Sequence, residues 1–326
     1  MMNKLYIITG AGGHLGSFLV NELIDRKCHV RALYLPGEEK DAPAEIEKVV
    51  GNVLDLESLG SLFDTQGYDK VSLIHCAGIV SIASKENPLL YDVNVNGTRN
   101  IMELALRHNI DRVIYVSTVH AIKEEEHPEL IKETKDFNSD YVVGAYAKSK
   151  AEASEIVLEY ADKGLNVSIV HPSGIIGPGD TKGNNHSVST LKAMYKGTIP
   201  CSIKGGYDFV DVRDVVNGIL LCEEKGRKGE CYILSGHYLT VKEMLEEVNK
   251  IRNRKTPDLE IPASVIKLIA PLLEKISILS GNNKPLLTPY SFYTLQSNGH
   301  FSNEKARNEL GYTVRDISET IKDTIM

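Results

Sequence analysis

A tyrosine and a lysine stand four residues apart in the segment Tyr146-Ala-Lys-Ser-Lys150. The chain continues with Ala-Glu-Ala-Ser-Glu-Ile-Val, which favours a helix, and positions i and i+4 share one helical face. An ammonium beside a phenol favours the phenolate and lowers its pKa from about 10. We therefore expect this pair to move a proton to or from a substrate oxygen, although any helix can carry the same spacing.

Two hydroxyl side chains, Ser117 and Thr118, end an apolar run that begins at Arg112. The run predicts a β-strand, and ligands bind at the carboxyl edge of open α/β sheets. A hydroxyl at that edge can hydrogen-bond the reacting oxygen, so Thr118 or Ser117 is a candidate partner for the phenol. The alternative is a pair of hydroxyls that only satisfy the end of a strand.

A glycine loop lies between the apolar run Leu5–Thr9 and a helical pattern over Leu15–Asp25. A strand, a glycine turn and a helix in this order present backbone amides and the helix dipole to a pyrophosphate. The spacing is T-G-x-x-G-x-x-G, and its place in the chain favours a dinucleotide site over a simple turn. The residues that we expect at this site are Gly10, Gly13, His14, Leu15 and Gly16.

The end of the second predicted strand bears on the choice between NAD and NADP. Tyr34 stands where an Asp or Glu would bind the adenosine ribose of NAD. The missing carboxylate favours NADP over NAD, and Arg31 and Lys40 are nearby cations that could meet a 2′-phosphate. Asn52, followed by Val53, could contact the adenine edge, and its alternative is a plain turn residue.

Short apolar runs alternate with longer helical patterns through the first half of the chain. This alternation predicts βαβ units, and continuous apolar runs predict a parallel sheet that is buried on both faces. The fold class is therefore α/β, a Rossmann-type doubly wound parallel sheet with a smaller C-terminal substrate-binding lobe. The predicted strands are Leu5–Thr9, His29–Tyr34, Lys48–Gly51, Val71–His75, Arg112–Ser117 and Val167–His171, and a helix over Asn87–His108 has an Asn cap and a first-position proline.

The regular alternation of predicted strands and helices ends at about residue 172, after which loops are longer and helices shorter. We expect residues 1–172 and a returning segment at about 207–235 to form the dinucleotide-binding domain. Residues 173–206 and 236–326 would form the substrate-binding lobe. The apolar stretches Ile261–Leu279 and Leu286–Leu295 could roof an apolar pocket in it. Charges and prolines in Ile261–Leu279 favour amphipathic helices over a stable membrane span.

The composition narrows the classes of partner. A net charge of −7 disfavours a nucleic-acid partner, which would need a basic surface. The five cysteines show no C-x-x-C spacing and the chain start shows no signal peptide, so we expect a cytoplasmic protein. His75, His120 and His171 lack a second ligand at short spacing, so we expect no metal. A small-molecule substrate is the expected partner, and a homodimer is left open.

The motifs, taken in order, resemble the extended (atypical) short-chain dehydrogenase/reductase family of the NAD-dependent epimerase/dehydratase type. Within it, they are most similar to carbonyl reductases of the dihydroflavonol-reductase and hydroxysteroid-dehydrogenase kind. Two departures are Thr118, where many members have Ser, and His120-Ala-Ile, where a Tyr is common. The matching motifs are Thr9–Gly16, His75-Cys-Ala-Gly78, Asn94-Val-Asn-Gly-Thr98, Ser117-Thr118, Tyr146-x-x-x-Lys150, His171-Pro-Ser-Gly174 and Phe209-Val-Asp-Val-Arg-Asp214.

This resemblance implies a role for each matching residue. Thr118 would polarise the substrate oxygen, Tyr146 would be the acid/base, and Lys150 would hold the nicotinamide ribose and tune Tyr146. Asn94 would support the site through backbone and water contacts, and Asp214 would cap the helix at Val215. Cofactor contacts would come from Cys76, Ala77, Gly78, Ser117, Pro172, Ser173 and Gly174, together with Tyr34, Asn52 and Val53.

Three functions fit these residues. We favour an NAD(P)-dependent oxidoreductase that reduces a ketone or aldehyde of a small apolar substrate, since the second lobe is apolar and poor in arginine. The first alternative is a nucleotide-sugar epimerase with tightly bound NAD, for which Arg213 could grip the diphosphate. The second is a non-catalytic NAD(P)-binding sensor on the same fold. A dehydratase is disfavoured because no acid follows Thr118.

Overall fold

A computed structural model describes residues 3–82, 87–279 and 287–326. Its strands are short and lie mostly in the first two thirds of the chain. They are β1 (Lys4–Thr9), β2 (His29–Tyr34), β3 (Glu47–Val50), β4 (Lys70–His75), β5 (Arg112–Val116), β6 (Val167–Pro172), β7 (Gly174–Ile176), β8 (Ser202–Ile203), β9 (Gly206–Asp211), β10 (Cys231–Leu234), β11 (His237–Thr240) and β12 (Glu260–Ile261).

The α-helices connect these strands and continue to the end of the chain. They are α1 (His14–Asp25), α2 (Pro88–Tyr91), α3 (Thr98–Arg107), α4 (Ala145–Asp162), α5 (His186–Lys196), α6 (Val212–Lys225), α7 (Val241–Ile251), α8 (Ala263–Leu279), α9 (Pro289–Gln296) and α10 (Ile317–Ile325). A π-helical turn over Asp92–Gly97 joins α2 to α3. The Asn87 side chain accepts a hydrogen bond from the Leu89 amide, as the predicted cap requires.

Seven parallel strands form the central sheet in the order β10-β6-β5-β4-β1-β2-β3. Alternate side chains of β1 explain its two buried faces: Ile7 joins an apolar cluster with α3 and α4, and Ile8 joins one with α1 and α6. The predicted Rossmann-type doubly wound sheet is confirmed, and all six predicted strands lie within a residue or two of observed ones.

The strand order reverses between β1 and β4, which are neighbours in the sheet. The chain leaves β1 through the glycine loop towards one face and leaves β4 through Cys76 towards the other. A crevice therefore opens at the carboxyl ends of these two strands, where open α/β sheets bind their ligands. The motifs named above that follow central strands therefore lie together at the carboxyl edge of the sheet.

The later part of the chain adds two small sheets. In the first, β9 pairs in parallel with β7 and antiparallel with β11, and in the second β12 pairs with β8. The N-cap of α6 is Asp211, whose side chain accepts a hydrogen bond from the Arg213 amide. The predicted cap, Asp214, instead accepts from the backbone and side chain of Arg315, so that assignment was wrong. No helix of the described ranges is long and apolar enough to span a bilayer.

Candidate active site

The glycine loop packs closely against the segment that follows β4. Gly10 has φ +72°, and a Cβ there would lie 2.6 Å from the Ala77 amide nitrogen. A Cβ at Gly16 would overlap the carbonyl oxygen of Gly10, to which Gly13 donates its amide at 3.1 Å. These contacts require bare backbone at Gly10 and Gly16. The loop thus fits a pyrophosphate of a dinucleotide.

The other residues predicted to contact the adenosine half of the cofactor lie in different surroundings. Asn52 builds a turn, since its Oδ1 accepts from the Leu54 amide at 3.0 Å, and Val53 packs against Gly97. Tyr34 is buried in the apolar core, where burial raises its pKa to about 12. His14 contacts the later part of the chain, through its Nε2 and the Pro178 carbonyl at 2.7 Å. Leu15 packs on the same apolar cluster as Tyr34.

The phenol of Tyr146 lies opposite the hydroxyl of Thr118. Thr118 is buried at the end of β5, and Tyr146 is in the first turn of α4. Burial raises the pKa of Tyr146 to about 12, and a hydrogen bond with Thr118 acts in the opposite direction. The two groups can therefore contact one substrate oxygen together, with the phenol protonated at neutral pH.

Lys150 is turned away from the phenol that it was expected to tune. Its Nζ donates to the Tyr115 hydroxyl at 3.0 Å and to the Val116 carbonyl at 2.8 Å. Burial lowers the pKa of Lys150 to about 7. The expected lowering of the Tyr146 pKa is not found, because the ammonium sits under β5 and the buried phenol is dominated by desolvation.

Ser117 and Asn94 hold α4 against the sheet edge. The Ser117 hydroxyl lies 2.8 Å from that of Ser154, so it is engaged within the core and Thr118 is the hydroxyl that faces Tyr146. Asn94 lies in the π-helical turn, accepts from the Ile79 amide at 2.8 Å and donates to the Ser149 hydroxyl at 3.0 Å. It ties the backbone after Gly78 to the helix of Tyr146 and Lys150.

The segment Cys76-Ala-Gly78 provides the bare backbone above Lys150. A Cβ at Gly78 would lie 3.1 Å from Asn94 Oδ1 and 3.7 Å from Lys150 Nζ. Burial raises the pKa of Cys76 to about 12, so its thiol is not a nucleophile at neutral pH. Across the cleft, Pro172 and Ser173 are buried, and a Cβ at Gly174 would lie 3.0 Å from the Asp208 carbonyl oxygen.

The three histidines once considered for a metal have other partners. His75 bridges Thr9 Oγ1 at 2.6 Å and Thr98 Oγ1 at 3.1 Å, and His171 Nδ1 lies 3.0 Å from the Thr118 carbonyl oxygen. His120 Nε2 lies 3.0 Å from the Tyr207 hydroxyl. The described residues contain no group of three or more His, Cys, Asp or Glu side chains placed to hold a metal ion.

An aromatic pocket adjoins Tyr146. The His120 ring stacks on that of Tyr207 at 5.3 Å and meets the edge of Tyr146 at 6.2 Å. Tyr290 of α9 covers Gly144, and its buried hydroxyl has no hydrogen-bond partner among the described residues. Other lining residues include Val119, Ile122, Ile131 and Phe301. These contacts place an aromatic cluster of His120, Tyr207 and Tyr290 next to Tyr146.

Of the two stretches expected to roof a pocket, α9 does so through Tyr290 and Tyr293. The outer face of α8 is instead exposed, with Leu268 80% and Leu272 59% accessible. Leu286 lies outside the described residues. Sequence reasoning missed Tyr115, Tyr207 and Tyr290. The alternation of β5 could have revealed Tyr115, which points to the same face as Ser117, but no local pattern places Tyr290 beside Gly144.

Comparison with known proteins agrees with this architecture. Residues 6–235 match the model of the NAD dependent epimerase/dehydratase family. The chain is 30% identical over 325 residues to sterol demethylase protein B of Methylococcus capsulatus, which covers 98% of this chain and 96% of that protein. It is 23% identical to a 3-beta-hydroxysteroid dehydrogenase of Mycolicibacterium neoaurum, over 94% of this chain and 86% of that protein. The crystal structure of gox2253 is 28% identical, with a TM-score of 0.82 over 99% of this chain and 97% of that one.

Fold and site together define a nicotinamide-dependent enzyme of the extended short-chain dehydrogenase/reductase class. The chain belongs to the NAD-dependent epimerase/dehydratase family. The resemblance drawn from its motifs is thus confirmed, as is its assignment as an oxidoreductase.

Proposed function

We propose that this enzyme reduces the carbonyl of a small, mainly apolar ketone or aldehyde through Tyr146, Lys150 and Thr118. The proposal rests on one observation, the proximity of the Tyr146 and Thr118 side chains beside the aromatic rings of His120 and Tyr207. Both groups can hydrogen-bond a single carbonyl oxygen, and that oxygen is where negative charge develops during reduction.

The chain's own residues would divide the work as follows. Thr118 donates a hydrogen bond to the carbonyl oxygen, and Tyr146 transfers its proton to the same atom. A pKa of about 12 keeps Tyr146 protonated at neutral pH, as the reductive direction requires. The reduced nicotinamide, when bound, supplies the hydride. Lys150 would hold its ribose by turning from Tyr115 towards the gap beside Gly78.

The aromatic side chains beside Tyr146 favour a ring-shaped substrate. The pocket there mixes aromatic and aliphatic side chains with Glu124, Thr294 and other polar residues, and it contains no lysine or arginine among the described residues. Two relatives are named for sterols or hydroxysteroids, which are molecules of this kind. We therefore extend that substrate class, a fused or flat hydrophobic ring system with a carbonyl, to this enzyme as part of the proposal.

The epimerase alternative requires cations for a sugar diphosphate. Arg213, its candidate, is bound to Asp211 at 2.7 Å and Asp323 at 2.8 Å. This engagement disfavours the epimerase. The sensor alternative needs no proton-transfer pair, so the placement of Tyr146 and Thr118 disfavours it as well.

Three arms of one experiment separate these functions. Oxidation of NADH and NADPH is followed with a panel of cyclic ketones, including ketosteroids, and with small aldehydes. Binding of UDP- and TDP-sugars is followed by thermal shift. Carbonyl-dependent oxidation with no shift by the nucleotide sugars supports the reductase. A nucleotide-sugar shift with sugar interconversion and no ketone turnover would overturn it in favour of the epimerase, and cofactor binding with no turnover on either panel in favour of the sensor.

The division of labour along the chain is part of the same proposal. Residues 1–172 and about 207–235 would bind the cofactor, and residues 173–206 and 236–326 the substrate. NADP was favoured from the absence of a carboxylate after β2, and the choice between NADP and NAD is taken up below. A cytoplasmic location and a homodimer stay predictions.

A further inference from the structure

A carboxylate lies directly on the glycine loop. Glu38 begins a short 3-10 helix four residues after β2 ends, and a Cβ built on Gly12 would lie 2.6 Å from Glu38 Oε2. The same oxygen lies 3.4 Å from the Leu35 amide nitrogen, so the side chain folds back to the end of β2. The acid that is missing at Tyr34 is thus supplied from further along the chain.

This position is where an adenosine ribose is read. In open α/β dinucleotide sites the ribose lies between the glycine loop and the end of the second strand, and a carboxylate there accepts its 2′-hydroxyl. NADP carries a phosphate dianion at that atom. A carboxylate in contact distance repels that phosphate, and like charges at an interface oppose binding strongly.

Of the cations near this position, Lys40 is exposed, while Arg31 and Lys182 are paired with carboxylates. Arg31 is buried, donates to Glu47 Oε2 at 2.6 Å and to the Asp64 carbonyl, and so is fixed under the sheet. Lys182 pairs with Glu38, with its Nζ 3.0 Å from Oε1. Both side chains of this pair are only about one third exposed, at 35% and 34%.

Lys182 comes from a loop that is held across the start of α1. His14 Nε2 lies 2.7 Å from the Pro178 carbonyl oxygen, and His14 Nδ1 lies 3.1 Å from Asn185 Nδ2. A Cβ at Gly179 would overlap the Phe18 ring. The loop therefore places the Lys182 ammonium beside the carboxylate, where it can keep the carboxylate aimed at the glycine loop.

We propose that Glu38 binds the adenosine ribose and makes this enzyme select NAD(H) over NADP(H), with Lys182 as a positioning residue. The inference rests on the cofactor-binding part of the proposed function and not on the carbonyl chemistry. It reverses the preference expected from the sequence, because that preference depended on the absence of an acid near the end of β2.

The test measures dissociation constants of NADH and NADPH by fluorescence titration, with no carbonyl substrate present. We expect the natural chain to bind NADH about 100-fold more tightly than NADPH, and Glu38→Gln to reduce this ratio below about tenfold. Lys182→Met should weaken NADH binding about threefold and keep the preference for NADH. Glu45→Gln, which removes the same charge from an exposed side chain, should leave both constants within about twofold.

Equal or tighter binding of NADPH by the natural chain would overturn the inference. The inference would also be overturned if Glu38→Gln left the ratio of the two dissociation constants unchanged and Lys182→Met lost the binding of NADPH alone. In that case Lys182 would bind a 2′-phosphate. Failure to bind either dinucleotide would contradict the cofactor site itself. Clear selection without ketone turnover would leave the inference intact and contradict only the proposed reductase. Thermal unfolding of each variant confirms that it is folded.

Discussion

The Lys150 ammonium lies 3.0 Å from the hydroxyl of Tyr115. Tyr115 in turn bonds to Thr98, and Thr98 to His75, so that these side chains form a buried polar network. The network joins α4 to β5, α3 and β4, and it reaches β1 through Thr9. Burial lowers the pKa of Lys150 to about 7 and that of His75 to about 3. Burying the charged form of Lys150 therefore carries a cost in stability.

This cost predicts that Lys150→Met stabilises the protein. The unfolded chain holds one more proton than the folded chain between about pH 7 and 10.5, so the stability of the natural protein rises through that window. Lowering the pKa of Lys150 from 10.5 to about 7 corresponds to at most roughly 5 kcal/mol, and the hydrogen bonds lost in the Met variant reduce this gain. Chemical denaturation should show that the free energy of unfolding of Lys150→Met exceeds that of the natural protein by about 1–3 kcal/mol at pH 6 and by almost nothing at pH 10. A loss at pH 6, or equal changes at both pH values, would refute this interpretation.

A second prediction concerns the contact between Gly144 and Tyr290. A Cβ at Gly144 would overlap the Tyr290 ring, and the glycine has φ +97°. Gly144→Ala should cost about 1–3 kcal/mol and raise KM for the carbonyl substrate by displacing Tyr290. Gly164→Ala is the matched control, because its φ is +115° but a Cβ there meets no described atom within 4 Å. Gly164→Ala should lose about 1 kcal/mol of stability and leave KM unchanged. Equal effects of the two variants on KM would contradict a role of the Gly144–Tyr290 contact in substrate binding.

Four histidines in buried or half-buried positions predict a loss of stability in acid. Burial lowers the pKa of His75 to about 3 and those of His120, His171 and His186 to about 4. The folded chain therefore keeps these rings neutral, and their contribution to stability is complete above about pH 6.5 and lost as pH falls towards 4. The free energy of unfolding, measured between pH 7 and 5, should depend on pH less steeply in His120→Gln than in the natural protein, by about one proton. Equal slopes for the two proteins would contradict the prediction.

The Tyr290 hydroxyl, which has no hydrogen-bond partner in the described part of the chain, predicts a variant in which stability and substrate binding change independently. Removing a buried polar atom that has no partner should not destabilise the fold, so Tyr290→Phe should unfold at the same or a slightly higher temperature. If that hydroxyl binds a polar group of the substrate, KM should rise about tenfold with kcat nearly unchanged. Steady-state kinetics on the best ketone of the panel measure this split. An unchanged KM would assign Tyr290 to packing alone.

The fold was largely readable from local patterns. The continuous apolar runs of β1 to β6 and the glycine loop at Gly10 are local signals, because each strand is buried on both faces and each turn needs its own residue type. Tyr146 and Thr118 could be proposed as site residues for the same reason, because Tyr146 lies at the start of a helix and Thr118 follows a strand at the same sheet edge.

The remaining features depend on contacts between distant parts of the chain. Lys182 meets Glu38 across 144 residues, and Tyr290 meets Gly144 across a similar separation, so neither pair leaves a periodic signal. The pKa of Lys150 could not be predicted from a four-residue spacing, since its value depends on burial under β5. A shared helical face brought Tyr146 and Lys150 near one another, but tertiary contacts decided where the ammonium points.

The central claim is that the Tyr146 phenol donates the proton that completes carbonyl reduction. The most direct measurement is the rate of ketone-dependent NADH oxidation by Tyr146→Phe, with the NADH dissociation constant measured on the same protein. We predict a fall in kcat of about a thousandfold or more with the constant changed less than about threefold. Turnover by Tyr146→Phe at a rate near that of the natural enzyme would contradict the account.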